Sequence, residues 1–354
     1  MASAAQRRIK SISYAKYGYF FILPFFLVYF FFQLYPLINT FVLAFHGNKE
    51  TEADVYLGLQ NFQDLLFGDR NRATKVIHEN FVSSFKNTLI LWIGNFIPQI
   101  ALSLSLAVWF TDAKLKIPGK GFFKIVMYLP NIITAASVAV LFLQLCGESE
   151  KLPGSLNLLL SKMGIVEFDA GSKSYDVVHF VKGEWESRGV VMFIQTWMWF
   201  GNTMIMLMSG IMGINPSLFE AASIDGASSG QVFRKITLPL LSPIMAYTLV
   251  TSMIGGLQMF DIPYLYHSDP NNISEHLRTV AVFIYEKFHP SAGASRQFGY
   301  SGAASVLLFF VTLILGCIAF YITRDKDEIA KKKQIKKNAK KAKQTNKQFG
   351  GLTI

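Results

Sequence analysis

Six stretches of this chain carry no Asp, Glu, Lys or Arg: residues 17–45, 87–111, 125–147, 189–219, 236–260 and 297–323. Each exceeds the roughly 20 residues that a helix needs to cross bilayer hydrocarbon. In lipid every backbone N–H and C=O has to be paired within the protein, so runs of this length have a bundle of helices as their solution. Prolines inside the runs, at Pro24, Pro36, Pro98, Pro130 and Pro243, would disrupt soluble helices. Neighbouring helices re-satisfy the freed groups in a membrane bundle. The 51% hydrophobic content and 32 Phe in 354 residues agree with that environment.

The expected fold is therefore all-α and polytopic, with six transmembrane helices at about residues 17–45, 87–111, 122–147, 189–213, 237–264 and 299–323. Residues 1–16 precede this 17–323 domain and a tail at 324–354 follows it. The start is basic and then apolar, but its apolar run outlasts the roughly 7–15 residues of a signal-peptide core and ends without a small-x-small cleavage site. It is expected to remain as the first span.

Orientation follows from the Lys and Arg residues. With the N-terminus inside, the inner segments hold Arg7, Arg8, Lys10 and Lys16, then Lys114, Lys116, Lys120 and Lys124, then Arg234 and Lys235. The outer segments are not basic: residues 45–84 hold four basic and six acidic groups, and 146–188 hold five and seven. Both termini are then cytoplasmic. The net charge of +11 reflects topology and the Lys-rich tail, so no nucleic-acid partner is needed to explain it. That tail is too apolar-poor to fold alone and is expected to be a disordered cytoplasmic anchor of topology, with binding to anionic lipid headgroups as the alternative.

Between the fourth and fifth runs lies NPSLFEAASIDGASSGQVFRKITLPLLSP, residues 215–243. Asn215 is placed to cap a helix with Pro216 at its first position. Leu218, Ala221, Ala222 and Ile224 would give that helix one apolar side, and Gly226 can end it at positive φ. Ser228 or Ser229 would cap a second short helix running to Lys235. The sequence thus predicts a helix-turn-helix knob held between two spans.

Glu220, Ala221, Ala222, Asp225, Gly226 and Ala227, with Ile236, Leu238 and Pro239, resemble the EAA loop of ABC-importer permeases of the maltose-type oligosaccharide family. The likeness extends through Gly58-Leu59-Gln60-Asn61-Phe62, Gly154 to Leu159 and Phe298 to Ser305, over roughly residues 24–321. It implies that the loop at 214–236 is a cytoplasmic coupling helix docking into an ATPase subunit. It also implies a second related permease, an ATPase dimer carrying ATP and Mg, an extracytoplasmic sugar-binding protein, and a bacterial cytoplasmic membrane around them. The chain departs from the family after span five, where a T-x-GGP turn is replaced by His267-Ser268-Asp269-Pro270-Asn271-Asn272.

Polar and indole groups at membrane depth are costly unless they face protein or a watery cavity. Asn131 and Gln144 in span three, Gln195, Trp197, Trp199 and Asn202 in span four, and Gln258 and Asp261 in span five are therefore candidates for a transport path, or for hydrogen bonds between helices. By the resemblance, Trp197 falls where the family places a tryptophan in its sugar site. Indoles that stack on C–H faces and amides that take hydroxyls suit a weak sugar site. Gln258 and Asp261 lie three apart and would share a helical face.

No GxxxxGK[ST] loop is present, so ATP chemistry has to come from a partner and the chain is not expected to be an enzyme or to bind a cofactor itself. Gly226 to Gly230 satisfies GxSxG, but without the preceding strand of a hydrolase elbow. His78-Glu79 lacks the second His of a metal site, and Cys146 and Cys317 are lone thiols. A carbohydrate, specifically an oligosaccharide, is the substrate class implied; glycerol-phosphate or another polar solute is the alternative. A membrane-embedded enzyme or scaffold would need titratable clusters within the spans, where only Asp261 stands.

Overall fold

A computed structural model describes residues 4–47, 55–112, 115–147, 154–166, 177–267, 273–290 and 295–323, with 334, 335 and 338. The segment 268–272 and the rest of the tail expected at 324–354 lie outside the described residues. Among the described residues the secondary structure is helical apart from an isolated antiparallel bridge between His46 and Tyr56. Among the described residues five helices are long and apolar enough to cross a membrane, or six where a bent pair is counted as one span. The chain is an all-α polytopic membrane protein. Two compact units share it, one of Met1–Ile90, Leu143–Arg188 and Leu257–Val311, the other of Leu91–Phe142, Gly189–Gly256 and Thr312–Ile354.

In the first unit, helix α1 (Ala4–Tyr29) passes through a π turn at Phe30–Leu34 into α2 (Tyr35–Ala44). Pro36 explains the turn: it has no N–H for the carbonyl one turn back, and the backbone widens to relieve the clash. Short helix α3 (Gln60–Leu66) then returns to the end of this span. Its Asn61 donates from Nδ2 to Ala44 O at 3.0 Å and His46 O at 2.8 Å, satisfying carbonyls that the helix end leaves open. Leu65, Phe81, Phe283, Tyr300 and Ala303 pack around Ala44. A Cβ on Gly302 would lie 2.7 Å from Ala44 N, so α14 (Phe298–Thr323) meets α2 backbone to backbone. The small residues of span six permit this approach.

Span two is longer than its charge-free run. Helix α4 (Arg72–Thr111) has 40 residues, about 60 Å at 1.5 Å per residue, against an expected start at 87. Asn71 caps it, accepting from Thr74 N at 2.9 Å, and Ile77 and Phe81 bury the outer turns in the first unit's core. Charges at Lys75, Glu79 and Lys86 end the lipid-crossing stretch without ending the helix.

The third span differs from the single helix expected at 122–147. Helix α5 (Lys120–Tyr128) continues through a 3-10 turn at Leu129–Ile132, and that arm meets α6 (Ala135–Cys146) at 94° where Ile133 turns extended. Pro130 lies in that turn and withholds an N–H from the helical ladder. Asn131 Nδ2 reaches Met198 O at 3.3 Å, and a Cβ on Gly201 would lie 2.1 Å from Met127 O. After a short helix α7 (Ser155–Lys162) comes α8 (Glu184–Met212), and the break is thus seated on α8 within the second unit. There α4 and α8 are joined by Gln99 Nε2 to Thr203 Oγ1 at 2.8 Å, Ser103 Oγ to Phe200 O at 2.8 Å and Thr196 Oγ1 to Asn95 O at 3.1 Å.

Candidate functional site: the exposed knob and the polar residues of the spans

Helix α9 (Pro216–Ile224) begins as the residues dictate: Asn215 Oδ1 accepts from Ser217 N at 3.1 Å, and Pro216 holds the first position. It ends in a Schellman arrangement, with Ala227 N donating to Ala222 O at 2.9 Å and Gly226 N to Ser223 O at 3.2 Å. Gly226 has φ +69°, and a Cβ there would meet no atom within 4 Å. The glycine answers a backbone angle, not a lack of space.

Ser228 starts the next helix with a reciprocal capping box. Ser228 N donates to Gln231 Oε1 at 2.8 Å, and Gln231 N donates to Ser228 Oγ at 3.4 Å. This helix is not the separate short element expected to end at Lys235. Helix α10 (Ser229–Val232) runs through a π turn at Phe233–Thr237 into α11 (Leu238–Leu257), so the knob's second arm is the first part of span five. Pro239 and Pro243, like Pro36 in span one, remove ladder donors just beyond the π turn, and the helix widens instead of stopping.

The expected apolar side of α9 does not pack on this chain. Ala222 is buried, but Ile224 is 87% exposed and Leu218 and Ala221 are also exposed, as are Glu220 and Asp225. Behind them the stems are firm: Met204, Leu207, Met208, Ile211 and Leu241 are buried with Leu106 and Phe110 in one cluster. A Cβ on Gly210 would fall 2.3 Å from Ile244 Cδ1, which brings α8 and α11 close at the knob's base. The arrangement presents a carboxylate and an aliphatic surface on a rigid mount.

The polar residues of the spans divide between the units. In the second, Trp197 is half-buried against Phe142, ring centroids 6.0 Å apart, while Trp199 and Asn202 are exposed. Asn131 has already committed a donor to Met198 O. In the first unit, Gln258 and Asp261 are exposed, but they do not share a helical face as expected. Helix α11 ends at Leu257, and α12 (Asp261–Leu265) starts afresh. Pro263 cannot donate to Met259 O, and that carbonyl instead accepts from Thr279 Oγ1 at 2.7 Å.

Sequence reasoning missed a buried polar assembly in the first unit. Arg188, 4% exposed, donates to Asn87 Oδ1 at 2.7 Å and His276 O at 3.3 Å, and pairs with Glu184 at 2.5 Å. Asn87 Nδ2 reaches Glu275 O at 2.7 Å and Arg278 O at 3.2 Å. Thr88 Oγ1 accepts from Val280 N at 3.0 Å, at the start of α13 (Val280–Phe288). The Phe85-Lys86-Asn87-Thr88-Leu89 stretch was the available signal, since two polar residues at a span's edge invite a search for partners. Asp64 is likewise buried, bonded to Arg70 and to Tyr300 OH at 2.8 Å. Among the described residues no cluster of three or more His, Cys, Asp or Glu is placed to hold a metal ion.

The family model described as "Binding-protein-dependent transport system inner membrane component" matches residues 88–325. The arabinooligosaccharides transport system permease protein AraP of Bacillus subtilis is 26% identical over 326 residues, 91% of this chain and 94% of that protein. The lactose transport system permease protein LacF of Rhizobium radiobacter is 25% identical over 330 residues, 92% of this chain and 100% of that one. A crystal structure of a bacterial ABC transporter involved in import of the acidic polysaccharide alginate superposes with TM-score 0.73 at 24% identity, covering 90% of this chain and 98% of its own. That likeness concerns the fold.

Proposed function

The chain belongs to the family of binding-protein-dependent transport system inner membrane components, and from that premise we propose that it carries a carbohydrate, an oligosaccharide, through the bacterial cytoplasmic membrane. It acts as one permease of an ATP-driven importer, beside a second related permease, an ATPase dimer that holds ATP and Mg, and an extracytoplasmic sugar-binding protein. The observation that carries the substrate class is collinearity with an arabino-oligosaccharide and a lactose permease over 94% and 100% of their lengths.

The knob is the ATPase-coupling element in this reading. Glu220, with Ala221, Ala222, Asp225, Gly226 and Ala227 around it, meets a basic residue of the ATPase, since a carboxylate losing water in a docked surface needs a partner. Exposure of Glu220 and Ile224 on a firmly mounted helix supports it. Trp197, Trp199, Asn202, Asn131, Gln258 and Asp261 belong to the substrate path, with Trp197 stacking on a sugar ring. Both termini are cytoplasmic.

Uptake by proteoliposomes holding the full importer tests the substrate class, with maltopentaose, arabinopentaose and glycerol 3-phosphate as probes. Uptake of a pentasaccharide is expected; uptake of glycerol 3-phosphate alone overturns the carbohydrate reading. Orientation is tested by cysteine labelling from outside, after Cys146 and Cys317 are replaced. Label should reach positions within 55–80, 177–185 and 273–290 but not 115–120 or 226–232; labelling of the knob in intact cells reverses the topology.

A further inference from the structure

Within the first unit lies a cavity of about 470 Å³ between α2, α13 and α14. Its size is that of a small-molecule site. The wall is a chain of aromatic rings. Phe260 lies 5.2 Å from Tyr285, Tyr285 lies 5.0 Å from His289, and Phe288 bridges His289 at 4.9 Å and Phe298 at 5.2 Å, centroid to centroid. Tyr264 stacks behind Phe260 at 4.9 Å and 15°, which holds that ring in place.

The hydroxyls in the wall, Thr40, Ser301 and Ser305, all donate to backbone carbonyls. Thr40 Oγ1 gives its proton to Pro36 O at 2.9 Å, Ser301 Oγ to Ile284 O at 3.1 Å and Ser305 Oγ to Ser301 O at 2.8 Å. Each hydroxyl keeps only acceptor capacity toward the cavity. Among the described lining residues there is no Asp, Glu, Lys or Arg. A carboxylate would face lone pairs with no lysine or arginine to meet it. A ring with C–H faces and several O–H donors satisfies both the aromatic wall and the acceptors.

We infer that this cavity, whose lining includes none of the path residues Trp197, Asn202 and Gln258, is a subsite for a ring of a neutral saccharide, and that it selects uncharged over acidic oligosaccharides. The inference rests on the carbohydrate reading and on its topology. In that topology Ser305 lies seven residues, about 10 Å, below the outer start of α14. The cavity then opens at the outer mouth, where a sugar arrives.

The experiment uses the full importer in proteoliposomes, with uptake of maltopentaose, arabinopentaose and, as the acidic comparator, an alginate pentasaccharide. Ala281 lines the cavity, so Ala281→Phe fills it; Tyr285→Ala removes its central ring and Tyr285→Phe keeps the ring. Ala281→Phe and Tyr285→Ala should each raise KM for the transported neutral sugar about 5- to 10-fold with kcat within about two-fold, while Tyr285→Phe stays near wild type. Co-purification of the partner subunits is the assembly control, and two variants of opposite volume keep the test open if one fails to assemble. Wild-type uptake of no saccharide defeats the carbohydrate reading itself. Uptake of a neutral sugar with KM unchanged in both assembled variants overturns the subsite alone, as does loss of co-purifying phospholipid in Ala281→Phe without a KM change. Preferential uptake of the alginate pentasaccharide overturns the stated selectivity.

Discussion

The knob at 215–237 and the polar assembly around Arg188 are built on opposite terms. In the knob, each fixing interaction is local: Asn215 to Ser217, Ala227 to Ala222, Ser228 to Gln231. Its side chains point outward, and little of this chain covers them. Around Arg188 the partners are 101 residues away at Asn87 and 88 away at His276, and the guanidinium is buried. Stability and function separate between these two regions. A locally fixed, exposed element can change its surface without threatening the fold, whereas a distantly assembled, buried one cannot lose a member cheaply.

The contrast is broken most directly at Arg188. Arg188→Met keeps the side-chain volume but leaves Asn87 Oδ1 and the carbonyl of His276 without their donor, and should cost about 2–4 kcal/mol. The midpoint of thermal unfolding in detergent, followed by tryptophan fluorescence, measures it. A midpoint within a degree of wild type would show that this assembly contributes no more than the knob does. Gly226→Val comes next. It forces a β-branched residue to φ +69° and should cost about 1–2 kcal/mol, confined to the knob. Hydrogen exchange should quicken at 222–228 with protection elsewhere unchanged; global acceleration would make the knob part of the fold's foundation.

Ser228→Ala removes half of the capping box and should cost about 1 kcal/mol, since one helix start loses its side-chain acceptor. Faster exchange at Gln231 N–H checks it. Glu220→Ala should be nearly silent in stability, within about 0.5 kcal/mol. Transport-coupled ATP hydrolysis should nonetheless be abolished in the reconstituted importer with assembly intact, which sharpens the comparison to its limit. Wild-type coupling in this variant would remove Glu220 from the coupling element.

Read from residues alone, the knob's caps and its glycine were legible because each depends on partners within five positions in the chain. The membrane class was legible for a different reason: the cost of a charge in hydrocarbon leaves its mark as charge-free runs, whatever the helices touch. Helix ends were less so. Arg72 to Lys86 continues α4 because its outer turns bury Ile77 and Phe81 against distant residues, and no count of charges in the run reports that burial. The break between α5 and α6 was half legible. Pro130 marks a weak point, but a single proline is also present within α4, at Pro98, where the helix continues.

What the sequence determined by itself is the class of fold, an all-α bundle spanning a membrane, and the form of one short exposed element, since both follow from solvation and from backbone rules acting over a few residues. Tertiary structure alone decided where the buried polar groups go: Asn87 to the segment before α13, Asp64 to Tyr300, Thr279 to Met259 rather than to a continuous fifth span. A buried donor must be satisfied, and the sequence shows that it needs a partner. Which of several hundred residues supplies it depends on how the helices pack.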